Sequence, residues 1–228
     1  NIVTSALIIL GGLGYIVWWD VLRVIKTRSA KNKKIFRHLT LHSKIAITVT
    51  FGLILIGALL IFAFEYANPA TVGNMSLFDK IQVSLFQSVT TRTAGFACVP
   101  QENLTNPSSF VSLILMLIGG SPVGTAGGIK TVTVSVLICS ALATIRNKNR
   151  ATLFNRCISE GSVKKAVAVV VTFITICSVS AILLMAVSNA PMLDVVYEAV
   201  SATATVGLSR NLTASLNLLG KLIIIVTM

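Results

Sequence analysis

The residues best placed to do chemistry in this chain are two short stretches of nearly the same pattern. Thr91-Arg92-Thr93-Ala94-Gly95-Phe96 and Thr203-Ala204-Thr205-Val206-Gly207-Leu208 read T-x-T-A-G-F and T-x-T-V-G-L, with their glycines 112 positions apart. What they offer is backbone rather than side chains. Each is a run of carbonyls with a glycine where a carbonyl must point inward from a backbone shape that a Cβ would obstruct. Carbonyls held that way can replace the hydration shell of a cation, as the T-V-G-Y-G loops of K⁺ channel filters do. A lone T-V-G is a weak signal, and a pair of Thr/Gly-rich interhelical turns is the plain alternative. Two copies, each after a short amphiphilic segment and between long apolar segments, argue against coincidence. Four such loops ring one ion, and this chain carries two.

A second candidate lies between them. Gly119-Gly120-Ser121-Pro122-Val123-Gly124-Thr125-Ala126-Gly127-Gly128 puts five glycines and a proline into ten residues of an otherwise apolar segment. Both residue types are costly inside a helix. Non-helical backbone at membrane depth is tolerated only where it is buried in protein or lines a water-filled cavity. Below a carbonyl loop this reads as a gate; a packing kink built on glycine contacts is the competing reading. Lys130 follows at once. It either anchors the closed loop or snorkels to the interface. A phosphate-binding loop is excluded, because Ile129 stands where the Walker pattern needs glycine and no strand precedes it.

The elements that must hold these loops follow from composition. Of 228 residues 54% are hydrophobic and 11% charged, against about 25% charged in soluble domains; mean hydropathy is +0.87. Residues 1–19, 45–64 and 166–187 carry no charge, and each run meets the roughly 20 residues a helix needs to cross the hydrocarbon core. Run 1–19 lacks a basic leader region and is expected to be a membrane helix, not a signal peptide. Residues 77–90 and 192–202 are too short to span and read as pore helices. Their C-terminal ends offer partial negative charge to a cation. Residues 110–118 and 129–145 flank the glycine-rich break. Residues 216–228 begin another span.

Net charge is +12, and it is grouped. Residues 23–44 hold eight Lys/Arg and residues 146–165 hold six. By the positive-inside rule both loops are cytoplasmic, with anionic lipid headgroups rather than nucleic acid as their natural neighbours. Cys98, Cys139, Cys157 and Cys177 match no zinc or redox spacing, and His38 and His42 have no carboxylate or Cys nearby to complete a metal site. Arg92 sits inside the first loop. It is expected to turn away from the axis and pack behind the filter against carbonyls or a carboxylate, with Glu198 or Asp79 as candidate partners. Asp79, Asp194 and Glu198 could instead draw cations to the outer mouth or hydrogen-bond within the pore helices.

Phe86-Gln87-Ser88-Val89-Thr90-Thr91-Arg92-Thr93-Ala94-Gly95-Phe96 resembles the third pore loop of the Trk/Ktr/HKT superfamily of K⁺ transporters. Ser201-Ala202-Thr203-Ala204-Thr205-Val206-Gly207-Leu208-Ser209 resembles the fourth. The stretch from Gly119 through Lys130-Thr131 resembles the broken helix after the third loop, and Gly11-Gly12-Leu13-Gly14-Tyr15 with Asp20 is similar to the helix closing the second repeat. The resemblance covers the whole chain and is greatest to bacterial Ktr-type and TrkH membrane subunits. It implies an all-α membrane protein of helix–pore loop–helix repeats. The end of the second repeat would occupy residues 1–25, the third 44–146 and the fourth 165–228, with cytoplasmic basic loops at 26–43 and 147–164. Thr93, Ala94, Gly95 and Phe96 with Thr205, Val206, Gly207 and Leu208 would line the filter and coordinate K⁺ through backbone carbonyls. Gly119, Gly120, Ser121, Pro122, Gly124, Thr125, Ala126, Gly127, Gly128 and Lys130 would form the gate.

The implied activity is K⁺ uptake across the cell membrane, with no covalent cofactor and with Na⁺ as a candidate coupling ion. The implied partners are the N-terminal repeats of the same protein, a second copy in a homodimer, and a cytosolic nucleotide-binding regulatory ring of the TrkA/KtrA kind. A Na⁺ or mixed Na⁺/K⁺ transporter of the superfamily is the alternative, because the first two filter loops are missing. From a different class, an accessory subunit would need no filter-like loops. An enzyme would need paired carboxylates, a His cluster or a nucleophile in its spans, and the sequence offers none.

Overall fold

The longest uncharged runs become the longest helices. The computed structural model describes residues 1–27, 35–124, 126–148, 151–154 and 156–228. Thr125 of the expected gate and parts of both basic loops lie outside the described residues. Helix α4 (Leu41–Glu65) starts on Thr40, whose hydroxyl accepts from the Ser43 N–H. Helix α8 (Glu160–Val187) starts in the same way on Ser159, which accepts from the Ser162 N–H. At 25 and 28 residues, and ~1.5 Å per residue, both are long enough to cross a bilayer. Little of their apolar surface is covered: Leu55, Ile56, Leu59, Ile174 and Ile182 face outward. In water such a surface would be a liability, whereas in hydrocarbon it is the expected exterior.

The short helices α5 (Leu77–Thr90) and α9 (Met192–Thr203) do the opposite. Their C-terminal halves are buried nearly all round, from Phe86 through Thr90 and from Tyr197 through Ala202. Helix α5 is opened by a reciprocal cap, in which the Ser76 hydroxyl accepts from the Asp79 N–H and donates to the Asp79 carboxylate at 2.7 Å. Close approach of α4 to α5 depends on Gly57: a Cβ there would lie 2.5 Å from Ser88 Oγ and 2.7 Å from a methyl of Leu115. The Ser88 hydroxyl in turn donates to the Ile54 carbonyl at 2.9 Å.

The N-terminal run departs from the expected single helix over residues 1–19. Helices α1 (Ile2–Gly12) and α2 (Tyr15–Thr27) meet at 87°. The break falls at Gly14, whose φ of +77° is a left-handed conformation that no right-handed helix can contain and that glycine adopts without Cβ strain. Past the bend, Asp20 anchors α2 to the start of α4 by accepting from the Thr40 N–H at 2.7 Å and the Thr40 hydroxyl at 2.8 Å. A one-turn helix, α3 (Ile35–His38), precedes that junction.

Helix α6 (Asn106–Leu117) is capped by Thr105 and carries Pro107 in its first turn, where the missing N–H is harmless. It runs into the glycine-rich break, after which α7 (Thr131–Ile145) resumes. The second basic loop holds a two-residue antiparallel pair, β1 (Thr152–Leu153) with β2 (Arg156–Cys157), a small departure from an all-α chain. Helix α8 begins at Glu160, several residues before the uncharged run that starts at 166, so Lys164 and Lys165 ride on its first turns. Helices α10 (Leu212–Ser215) and α11 (Leu218–Thr227) complete the chain. One packed cluster joins Leu113 and Met116 of α6 to Tyr197, Val200, Ala204, Val206 and Leu208. Another joins α8, α9 and α11 through Leu184, Val195, Ala199 and Ile224.

Candidate functional site

Each T-x-T-x-G loop begins where a short helix ends, and the two bend with the same pattern of backbone signs. Thr93 (φ +66°) and Gly95 (φ +75°) are left-handed in the first; Thr205 (φ +52°) and Gly207 (φ +87°) are left-handed in the second. In an extended strand successive residues face opposite sides. A left-handed residue at every second position cancels that alternation, so neighbouring carbonyls can be turned to one side. For a threonine the left-handed region costs about 1–2 kcal/mol, and such strain persists only where the surroundings over-determine it.

Two observations say what over-determines it. In the second loop Val206 and Leu208 are buried in the α6–α9 cluster, while Thr205 and Gly207 between them are exposed. The side chains are pinned on the protein side, leaving backbone for the other. Among the described residues, no hydrogen bond is accepted by the carbonyls of Thr93, Ala94, Gly95, Thr205, Val206, Gly207 or Leu208. The loops that carry them are half-buried at 93–95 and exposed at Thr205 and Gly207, so carbonyls not used by the protein there can serve a partner from outside it. Phe96 differs from its expected role. Its carbonyl accepts from the Thr90 hydroxyl at 2.6 Å, and its N–H donates to the same oxygen at 2.8 Å. Thr90 braces the end of the first loop, and Ala202 holds the matching position in the second. The two loops lie against one another: a Cβ on Gly95 would collide with the Val206 carbonyl.

The glycine-rich break is a pinched loop. Ile118 and Ile129 bridge its two ends, the Ile129 N–H donates to the Leu117 carbonyl at 3.0 Å, and the Thr131 N–H donates to Gly120 at 3.1 Å. A Cβ on Gly119 would overlap the Gly127 carbonyl; one on Gly127 would overlap the Ala204 carbonyl and the Thr205 hydroxyl. Gly127 thus backs directly onto the second carbonyl loop. On its other side the break meets the α1–α2 bend, where the Ser121 N–H donates to the Gly12 carbonyl at 3.0 Å and Pro122 and Gly124 crowd Gly14. Ser121 and Ala126 are buried, and Pro122, Gly124, Gly127 and Gly128 are half-buried. The Lys130 ammonium donates to the Ala126 carbonyl, so it ties the loop to itself and does not reach away.

Arg92 is buried behind the first loop, 7% exposed. Its Nη2 donates to the Gly119 carbonyl at 3.1 Å and to the Thr50 hydroxyl at 3.4 Å. The expected carboxylate partners are engaged elsewhere. Asp79 caps α5, and Glu198 accepts from the hydroxyls of Ser209 (2.8 Å) and Thr213.

Arg210, which no motif in the sequence marks, is a further hub. Its guanidinium pairs with Asp194 at 2.6 Å and donates to the Gln101 carbonyl at 2.8 Å, the Ser109 hydroxyl at 2.5 Å and the Glu102 carbonyl at 3.2 Å. Beneath it the Tyr197 hydroxyl and the Gln87 amide both reach Gln101 Oε1, at 3.1 Å and 2.6 Å. These bonds join the two short helices α5 and α9. The available signal was the pair of opposite charges, Asp194 and Arg210, flanking the second loop. Glu65, 1% exposed, is another. It accepts from the Thr105 N–H and hydroxyl and from the Asn68 and Thr71 side chains, all at 2.6–2.8 Å.

The sequence profile of the TrkH family, described as a cation transport protein, matches residues 1–228. The chain belongs to the TrkH family. It is 39% identical over its full length to the Ktr system potassium uptake protein B of Bacillus subtilis, covering 49% of that relative. It is 35% identical to the potassium/sodium uptake protein NtpJ of Enterococcus hirae, where 98% of this chain aligns with 48% of the relative. The crystal structure of the potassium transporter TrkH from Vibrio parahaemolyticus superposes with a TM-score of 0.77 at 16% identity, covering all of this chain and 48% of that one. The TrkH-family chain described here therefore shares that fold and spans about half the length of the curated relatives it matches. The family is one of cation transporters, not enzymes.

Proposed function

We propose that this TrkH-family chain is the C-terminal half of the ion-translocating subunit of a K⁺ uptake system. The observation that carries the reading is the pair of loops with matched left-handed Thr and Gly positions and seven unpartnered carbonyls. Those carbonyls, at residues 93–95 and 205–208, would form half of a carbonyl ring, and the preceding part of the same protein would supply the other half. The names of the relatives, Ktr system potassium uptake and potassium/sodium uptake, support K⁺ as cargo. The second name also supports a reading in which Na⁺ is transported or coupled. The basic loops would face the cytoplasm. A homodimer and a cytosolic nucleotide-binding regulatory subunit are the expected assembly.

The glycine-rich loop is proposed as the gate. It lies against the Ala204-Thr205 backbone, held by hydrogen bonds within the loop, to Gly12 and from Arg92 to Gly119. The test of transport is expression of the full-length protein in a bacterium lacking K⁺ uptake: growth at low K⁺ should be restored, and Na⁺ competition will report preference. No rescue, with the protein present in the membrane, overturns the reading. For the gate, ⁸⁶Rb⁺ uptake by a variant lacking residues 122–127 should rise and depend less on the regulatory subunit. Unchanged flux and dependence in a folded variant would leave a packing kink.

A further inference from the structure

Arg92 spans two parts of the molecule that the proposed function treats separately. Its backbone belongs to the turn entering the first carbonyl loop, where its N–H donates to Val89 at 3.1 Å and the next residue is the left-handed Thr93. Its guanidinium ends on the carbonyl of Gly119, the first glycine of the break, and on Thr50 of α4. Gly119 lies just past the C-terminus of α6, whose last carbonyls carry partial negative charge that a cation stabilises. Among the described residues no carboxylate reaches the group and its Nε has no acceptor. A buried cation with so few acceptors depends on each of them, because removing one partner leaves desolvated charge uncompensated. Any motion that carries Gly119 away from Arg92 is opposed for that reason.

We infer that Arg92 is a positioning residue that latches the first residue of the gate loop to the turn of the third filter loop and so biases the gate toward its closed pose. The latch acts at the base of the loop, whereas Lys130 binds within the loop itself. The inference rests on the gate reading above. A single-point cation would hold the latch less well than the fork, since a guanidinium presents several N–H groups in fixed geometry and an ammonium does not.

The test uses the full-length protein reconstituted alone in liposomes, with ⁸⁶Rb⁺ influx as the readout and thermal stability measured alongside. Four proteins are compared: parent, Arg92→Gln, the variant lacking residues 122–127, and the two changes combined. One hydrogen bond from a charged group shifts an equilibrium by about tenfold or more, so Arg92→Gln should raise basal influx on that order. In the deletion background it should add nothing, because a latch has no effect once the loop it holds is gone. No rise in Arg92→Gln overturns the latch. So does an equal rise in both backgrounds, which would mean that the residue acts through the filter or through general stability. If the deletion itself fails to raise influx, the gate reading fails first, and the two failures are distinguishable. Should Arg92→Gln not reach the membrane, Arg92→Lys replaces it, with a smaller rise expected and no rise counting equally against the inference.

Discussion

The glycines of the two proposed filter loops should not be equivalent, although their sequence contexts nearly are. At Gly207 a Cβ would meet nothing closer than the Gly95 Cα at 3.8 Å, so the cost of Gly207→Ser is the backbone conformation alone, φ +87°. That is about 1–2 kcal/mol for a residue with a Cβ. If the relaxed loop must be driven back to this shape to hold K⁺, apparent K⁺ affinity falls by about 5- to 30-fold, since ~1.4 kcal/mol is a factor of ten. Gly95→Ser carries a similar conformational cost, φ +75°, and adds a collision with the Val206 carbonyl. That carbonyl belongs to the opposite loop and is one of the unpartnered set, so relieving the clash moves a second ligand. A further loss of about tenfold is the minimum expected, again from one factor of ~1.4 kcal/mol. Uptake of ⁸⁶Rb⁺ against external K⁺, in cells making each full-length variant, measures both. Parent-like K⁺ dependence in both variants would refute the carbonyl assignment. A larger loss at Gly207 than at Gly95 would refute the geometry argued for the facing loops.

Lys130→Ala removes the tie between the ammonium and the Ala126 carbonyl, so basal ⁸⁶Rb⁺ influx should rise in the same direction as on deleting residues 122–127; parent-like influx would make Lys130 a bystander. Gly57→Ala forces a methyl to 2.5 Å from Ser88 Oγ, and overpacking of that kind costs about 1–3 kcal/mol, read as a lower unfolding temperature in detergent. Arg210→Gln leaves Asp194 and three outer acceptors without their cation. With the Arg210 side chain 8% exposed and that of Asp194 24% exposed, water partly screens the charge left behind, so a loss of about 1–3 kcal/mol is expected, read as a lower unfolding temperature, and the double change with Asp194→Asn should cost less than the sum of the two single changes.

Much of this architecture is legible in the sequence because it is set locally. The bounds of α5 are fixed by the Ser76 cap at one end and the Thr-rich turn at the other, and the short segment read at 77–90 coincides with them. The long spans announce themselves by the absence of charge, and the break after α6 by its glycines. What sequence hides is conditional on distant partners. Gly14 looks like one more glycine in an apolar run, and its left-handed turn is evident only with the 122–124 backbone packed against it. Arg92 invites a carboxylate partner by charge alone, yet the carboxylates are consumed nearby by a cap and by hydroxyls. Arg210 is unremarkable until the chain from Gln101 to Ser109 is folded over it. The uncharged run marks where α8 can enter lipid, not where the helix starts: the Ser159 cap sets that start several residues earlier.

The burial of the two short helices also constrains how the molecule can be made. Helix α5 carries Ser84, Gln87 and Ser88 on covered surfaces, and α9 carries Tyr197, Glu198 and Ser201. Neither is long enough to cross a bilayer, and their polar groups would be unsatisfied against lipid tails. A nascent chain leaving its insertion machinery can release α4 or α8 sideways into lipid, but not α5 or α9. Each short helix must wait, shielded or in water, until the helices on both sides of it have arrived. The bonds from Gln87 and Tyr197 to Gln101 then close between the segment that carries α5 and the segment that carries α9. The smallest unit that can close these bonds during biosynthesis therefore includes both α5 and α9. A ribosome pause or a cut between residues 104 and 192 should strand the first half in a state that quality-control proteases recognise.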